Sequence, residues 1–213
     1  SVTPLSEAES DELIDALLPT LTDAARGAVR RRCDGVPLYI EEVVHKLKNL
    51  AADPDPAQVP DTIYEALLSR LPANDAAMTV VQAAATIGSR VDFEVLRTVL
   101  DSGVDDLNPI IDELCAAKVL SPRGDKRWRF RHELLREVAA ELAPPSVRRT
   151  LHGRVADALI TLTADGQPDW PLIAAHFKAA ERFGEAATAY QQASAAARAR
   201  GALDEARSHL SSA

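Results

Sequence analysis

The sequence predicts a mainly α-helical protein that contains one small β-hairpin. Only 4% of the 213 residues are aromatic, whereas alanine and leucine recur throughout, a composition that favours packed helices over sandwiches of short strands. Apolar residues also recur at helical spacing along most of the chain. The period changes to two near Val119, where residues 118–121 and 127–131 predict two strands joined by a tight turn.

Helices fill the first predicted domain, residues 1–55. Ser6 and Glu9 have the spacing of a capping box and predict the start of the first helix. A second helix, from Thr22, ends at Gly35.

A third helix is predicted to follow at once. Pro37 suits its first turn, because proline lacks the amide hydrogen that this position leaves unpaired. Glu41 and Glu42 lie early in this helix and Lys46 and Lys48 lie late, which is the order that the helix dipole favours.

A proline-rich stretch over residues 53–60 predicts the first domain boundary, because its three prolines forbid a continuing helix. In the second domain, residues 56–145, three helices precede the hairpin and a further helix follows it. This order is typical of a winged helix. Residues 146–213 predict antiparallel, alanine-rich helices of tetratricopeptide-like type, with Ser146 capping the first of them.

Charge and hydropathy limit the classes of partner. The net charge of -8 disfavours nonspecific attraction to nucleic acid or to an anionic membrane. No run of about 20 apolar residues and no leader-like start occurs in the sequence, so we expect a cytoplasmic protein with no membrane partner. The single methionine is Met78, which predicts that the chain is a piece of a longer protein. The helical pattern stops midway at Ala213, which predicts that the array is cut short there.

Several strings, in order along the chain, resemble those of STAND-class signalling ATPases. The family strings are GNPLFIEEL, AAVIG, FRHALIREV, RxxLH and AHHY. Their counterparts here are GVPLYIEE at 35–42, AAATIG at 83–88, FRHELLREV at 130–138, RTLH at 149–152 and AAHF at 174–177. The chain is most similar to the ATPase modules of bacterial LuxR-type transcriptional regulators and of multidomain adenylate cyclases.

This resemblance implies a regulatory role in signal transduction and transcription regulation. It identifies residues 1–55 as a helical lid of the ATPase module. The lid and winged helix would close over ADP or ATP, which in the parent protein is held with Mg²⁺ by a P-loop core. The sequence has no GxxxxGK[ST] phosphate loop, so we expect the ATPase core to lie N-terminal to Ser1 and to be a partner of this chain. An effector or partner protein would bind the helical repeats.

The resemblance also implies which residues contact the nucleotide. These are Gly35 and Pro37 in the lid, and Arg131 and His132 at the start of the last winged-helix helix. In the alternative interpretation, Gly35 and Pro37 only end one helix and begin the next, His132 only caps its own helix, and Arg131 only faces water. We expect no catalytic residue, no metal ligand and no cofactor in the chain by itself, and therefore no enzyme activity within it.

Two other functions remain open. A winged-helix nucleic-acid-binding module is suggested by the basic residues Lys126, Arg127, Arg129 and Arg131. The helix near residues 105–118, which would enter a DNA groove, is acidic and therefore opposes direct nucleic-acid binding. The third possibility is a helical protein-interaction scaffold. His152, His176 and His209 lack metal-ligand spacing and are interpreted as helix-interface residues.

Overall fold

The computed structural model describes residues 4–50, 62–100, 106–163 and 168–212. The protein is mainly α-helical, as predicted. Its contacts divide it into two compact units, the N-terminal unit (residues 1–72) and the C-terminal unit (residues 73–213). Within the described ranges, no helix has both the length and the apolar character needed to cross a bilayer.

Local capping signals fix the helices of the N-terminal unit. The hydroxyl of Ser6 accepts a hydrogen bond from the Glu9 amide, and the Glu9 carboxylate accepts one from the Ser6 amide at 2.8 Å, which confirms the capping box. Thr22 caps the second helix and Thr62 the fourth. The helices of this unit are α1 (Glu7–Leu17), α2 (Asp23–Cys33), α3 (Pro37–Leu50) and α4 (Ile63–Leu68).

The core of the N-terminal unit forms where α1, α2 and α3 meet. Ile14, Val29, Ile40 and Leu47 are fully buried there. Glu42, expected from the sequence to serve the helix dipole, is instead fully buried on α3.

The C-terminal unit begins with a winged-helix topology. In the described part of this unit, three strands form an antiparallel sheet in the order β1-β3-β2. The sequence predicts β2 and β3 as a hairpin but does not predict β1. The elements in chain order are α5 (Asp75–Ile87), β1 (Arg90–Asp92), α6 (Phe93–Leu100), α7 (Leu107–Ala116), β2 (Leu120–Pro122), β3 (Arg127–Phe130) and α8 (Glu133–Glu141).

Among the described residues, four helices follow the winged helix in the chain and form a helical array. Ile173, Phe177 and Ala156 build its core together with small residues of the third array helix, and these small residues allow close packing. The predicted cap at Ser146 is wrong, because the first array helix begins at Pro145 and Ser146 lies in its first turn. The array helices are α9 (Pro145–Leu162), α10 (Trp170–Ala179), α11 (Phe183–Ala199) and α12 (Leu203–Ser212).

The helix α9 belongs to two packing regions of the C-terminal unit. It packs against α5 and α6 of the winged helix and also against α10 of the array. The Arg154 side chain on α9 donates a hydrogen bond to the Val99 carbonyl of α6 at 3.3 Å. The predicted division at residues 55 and 145 stays a prediction, since the proline-rich linker lies outside the described residues.

Candidate functional site

The predicted lid residue Gly35 lies in a tight connection between α2 and α3. Asp34 ends α2 in the left-handed conformation, and Gly35 follows with φ of +69°. The Leu5 amide donates to the Gly35 carbonyl at 2.8 Å, and a Cβ at position 35 would overlap the Leu5 carbonyl oxygen. The space that glycine leaves open is therefore taken by the chain's own backbone.

Pro37 is the first residue of α3, as predicted, and its ring is half-buried. Val36 beside it is 41% exposed. The connection therefore presents an apolar surface at Val36 and Pro37.

The other two predicted residues lie where β3 leads into α8. The Arg131 amide donates to the Val119 carbonyl at 3.0 Å, and the Arg131 side chain is exposed. His132 is the N-cap of α8, but its side chain makes no capping hydrogen bond to the helix amides. The alternative in which the His132 ring serves only as a cap therefore has no support from the geometry.

The start of α8 is tied to α5 by Arg136. Its guanidinium donates to the Glu133 carboxylate at 2.6 Å and to the Ala85 carbonyl at 3.1 Å. This contact fixes the start of α8, and with it Arg131 and His132, relative to the end of α5.

Arg131 opens onto a groove of about 840 Å³ along the sheet, named here the arginine groove. Two carboxylates, Asp92 and Glu133, also line it, and each is paired, with Arg127 and Arg136 respectively. The arginines of the groove are Arg90, Arg123, Arg127, Arg129 and Arg131.

The structure brings together the members of each predicted pair. Gly35 and Pro37 share one connection in the N-terminal unit, and Arg131 and His132 are neighbours in the C-terminal unit. The sequence prediction missed Arg90 and Arg123 as companions of Arg131. Arg90 is supplied by β1, a strand of three residues that is too short to show an alternating pattern.

A histidine pair lies between α9 and α10, which confirms the helix-interface interpretation for His152 and His176. Their Nδ1 atoms are 2.9 Å apart, so one ring donates a hydrogen bond to the other. Burial lowers the pKa of His176 to about 4, with a further contribution from His152. Burial, and then the charge of Arg148, lower the pKa of His152.

We expect acid to weaken the C-terminal unit through this pair. The folded pKa of His176 lies below the unfolded value of 6.5, so its contribution is complete above pH 6.5 and is lost as the pH falls toward 4. Between pH 7 and pH 5 the free energy of unfolding should fall by about 2 kcal/mol. This free energy is measured at each pH by urea unfolding, monitored through the fluorescence of Trp128 and Trp170.

Replacing His176 with Gln should flatten this pH dependence. His209, which stacks on Tyr190, provides the matched control, and His209→Ala should leave the slope near that of the wild type. An unchanged slope in His176→Gln would show that other groups cause the acid sensitivity.

The chain is similar to an uncharacterized protein of Rhizobium meliloti (strain 1021), with 32% identity over 211 aligned residues. The match covers 92% of this chain but 20% of the relative, so the chain spans about a fifth of the relative's length. No family model and no solved structure matches the chain.

Proposed function

We propose that this chain is the regulatory part of a STAND-type signal-transducing ATPase, of the kind found in bacterial LuxR-type transcriptional regulators and multidomain adenylate cyclases. The observation that carries the proposal is the winged helix with Arg131 and His132 at the start of α8. It follows a helical unit that contains the Gly-Val-Pro connection and precedes a helical array. A match to one fifth of a longer relative suits a module of a larger protein.

The start of α8 has the chemistry expected for a phosphate contact. The amides of a helix N-terminus and the helix dipole favour an anion, and Arg131 adds an exposed guanidinium. Bound ADP would supply the negative charge of its phosphates there. Arg136 holds this helix start against α5, so the donors are positioned before an anion arrives.

Of the two predicted lid residues, only Pro37 is placed to contact a nucleotide. The open side of Gly35 faces Leu5, which gives this glycine a packing role in the N-terminal unit. The half-buried ring of Pro37 and the exposed Val36 offer the apolar surface that an adenine would contact. In the proposed function, Pro37 makes the lid contact and Gly35 shapes the turn that presents it.

Under this proposal the ATPase core lies in a part of the parent protein outside these 213 residues. The core would hold ADP or ATP with Mg²⁺, the lid and the winged helix would close over it, and an effector or partner protein would bind the helical array. The chain itself needs no catalytic residue for this role, and a cytoplasmic location suits it.

The test uses the full parent protein. We expect His132→Ala to lower the ADP retained after desalting by about tenfold, because one charge-assisted contact to phosphate is lost. His209→Ala is the matched control and should retain ADP like the wild type. A parent protein without a phosphate loop, or unchanged retention in His132→Ala, would contradict the proposal.

A nucleic-acid-binding winged helix is the alternative that the arginine groove favours. The helix that would enter a DNA groove opposes it, because α7 exposes Asp112 and Glu113 and is capped by Asp106. Phosphates of a duplex would be repelled by that face. The regulatory role is therefore the function that the geometry supports best.

A further inference from the structure

We propose that the arginine groove is a binding site for a compact polyphosphate of nucleotide size. The proposal goes beyond the nucleotide contact at the start of α8, and it does not depend on an ATPase core. It rests on the strand register, on the ion pairs of the groove and on the size of the groove.

The strand register places like charges opposite each other. Arg90 on β1 pairs directly with Arg129 on β3, and Ser121 of β2 lies on the other side of Arg129. The Cβ atoms of directly opposed residues in an antiparallel pair lie about 5 Å apart, and like charges on such side chains are destabilising. A bound anion would turn this repulsion into a shared attraction.

Alternation along β3 directs further arginines to the same face of the sheet. Arg127 and Arg129 are two residues apart, and Arg131 continues this spacing beyond the strand. The intervening Trp128 and Phe130 belong to the opposite face, where Phe130 is buried. Guanidinium groups are thereby concentrated on one small surface.

Most of these guanidinium groups have no acidic partner in the part of the chain that the structure describes. Arg127 is paired with Asp92 at 3.4 Å. Among the described residues, no carboxylate forms an ion pair with Arg90, Arg123, Arg129 or Arg131. The other carboxylate of the groove, Glu133, already serves Arg136. The positive charge is therefore available to a ligand.

The charge and the size of the groove indicate the class of ligand. Five arginines against two carboxylates leave a positive excess that a single carboxylate would not balance. Phosphate oxygens accept the paired donors of arginine, and a di- or triphosphate carries several such charges in one compact body. The volume of about 840 Å³ lies in the range of sites for small organic ligands.

A discrete anion fits this surface better than a nucleic acid does. The exposed acidic side chains of α7 belong to the same unit, and the net charge of the whole chain is -8. A long polyanion would meet this negative charge, whereas a ligand confined to the groove would not.

The experiment is calorimetric titration of this chain with sodium tripolyphosphate and with ADP. We expect saturable binding that weakens with salt. In the double variant Arg90→Gln with Arg129→Gln, the affinity should fall by at least about tenfold, because two charge-assisted contacts are lost. Tripolyphosphate should also raise the Tm of the wild type and not that of the variant.

A matched control changes the net charge equally. Arg31 and Arg198 are exposed and lie outside the groove, so Arg31→Gln with Arg198→Gln should bind like the wild type. Circular dichroism confirms that both double variants are folded. An equal loss of affinity in the control would show that the net charge of the chain, and not the groove, determines the binding, and it would overturn the proposal.

Two competing ligands complete the test. Tighter binding of hexaglutamate than of tripolyphosphate would assign the groove to carboxylates. Binding of a duplex of about 20 base pairs without binding of tripolyphosphate would assign it to nucleic acid. Either result would overturn the proposal, and neither would bear on ADP retention in the parent protein, which tests His132.

Discussion

Replacing Arg70 with Met is expected to destabilise the N-terminal unit by about 3–5 kcal/mol. The Arg70 guanidinium forms an ion pair with the Glu42 carboxylate, and Glu42 is 0% and Arg70 8% exposed. The variant removes the cation beside a carboxylate that water does not reach. Native-state hydrogen exchange of the α3 and α4 amides measures the loss for this unit by itself.

Two controls separate burial from ion pairing. The exposed pair of Arg97 and Glu94 has a 2.8 Å contact, yet Arg97→Met should cost less than about 1 kcal/mol because water screens it. The double variant Arg70→Met with Glu42→Leu should be more stable than Arg70→Met alone, since it leaves no buried charge. If Arg70→Met lowers the free energy of unfolding no more than Arg97→Met does, burial does not make the Arg70–Glu42 pair more important for stability than an exposed pair.

The second large effect is expected for Gly35→Ala, at about 2–4 kcal/mol. Two costs combine at this position. An alanine is strained at a φ of +69°, and its Cβ would overlap the Leu5 carbonyl oxygen, which is backbone and must be displaced. Hydrogen exchange at the start of α3 measures the change.

Gly201 provides the control for backbone strain alone. Its φ is +77°, and a Cβ there meets nothing within 4 Å. Gly201→Ala should therefore cost only about 1–2 kcal/mol. Equal losses at Gly201 and Gly35 would show that the packing of Leu5 contributes nothing.

Much of the fold could be predicted because its signals are local. The capping box of Ser6 and Glu9 and the first-turn Pro37 act within a few residues, and the structure has each of them as expected. Such features depend on short-range hydrogen bonds and on the fixed φ of proline, so neighbouring residues are enough to predict them.

Features that depend on distant partners could not be predicted in this way. The strand β1 has three residues and exists through its pairing with β3, far along the chain. Glu42 has the spacing of an acid that serves the helix dipole, but Arg70 from beyond α4 gives it a buried partner. In both cases the contacting partner is remote in sequence, so the local pattern of apolar residues does not predict the contact.

The same distinction between local and distant signals applies to the candidate site. His132 could be placed at a helix start, because the preceding strand and the following apolar stripe are both visible in the sequence. The arginine groove could not be anticipated, since Arg90 and Arg129 become neighbours only through sheet pairing. The missing ring-to-helix hydrogen bond of His132 is likewise a property of the folded geometry.

The shared helix α9 gives the C-terminal unit a mechanical property. An 18-residue helix is a rod about 27 Å long, and this one lies against α5 and α6 as well as α10. Close-packed interiors resist compression, so we expect a shift of α10 to be passed along α9 to α5 and α6. If a ligand of the array displaces α10, we expect the change to reach α5, whose Ala85 carbonyl accepts a hydrogen bond from Arg136 at the start of α8. Such a coupling would act equally in the reverse direction.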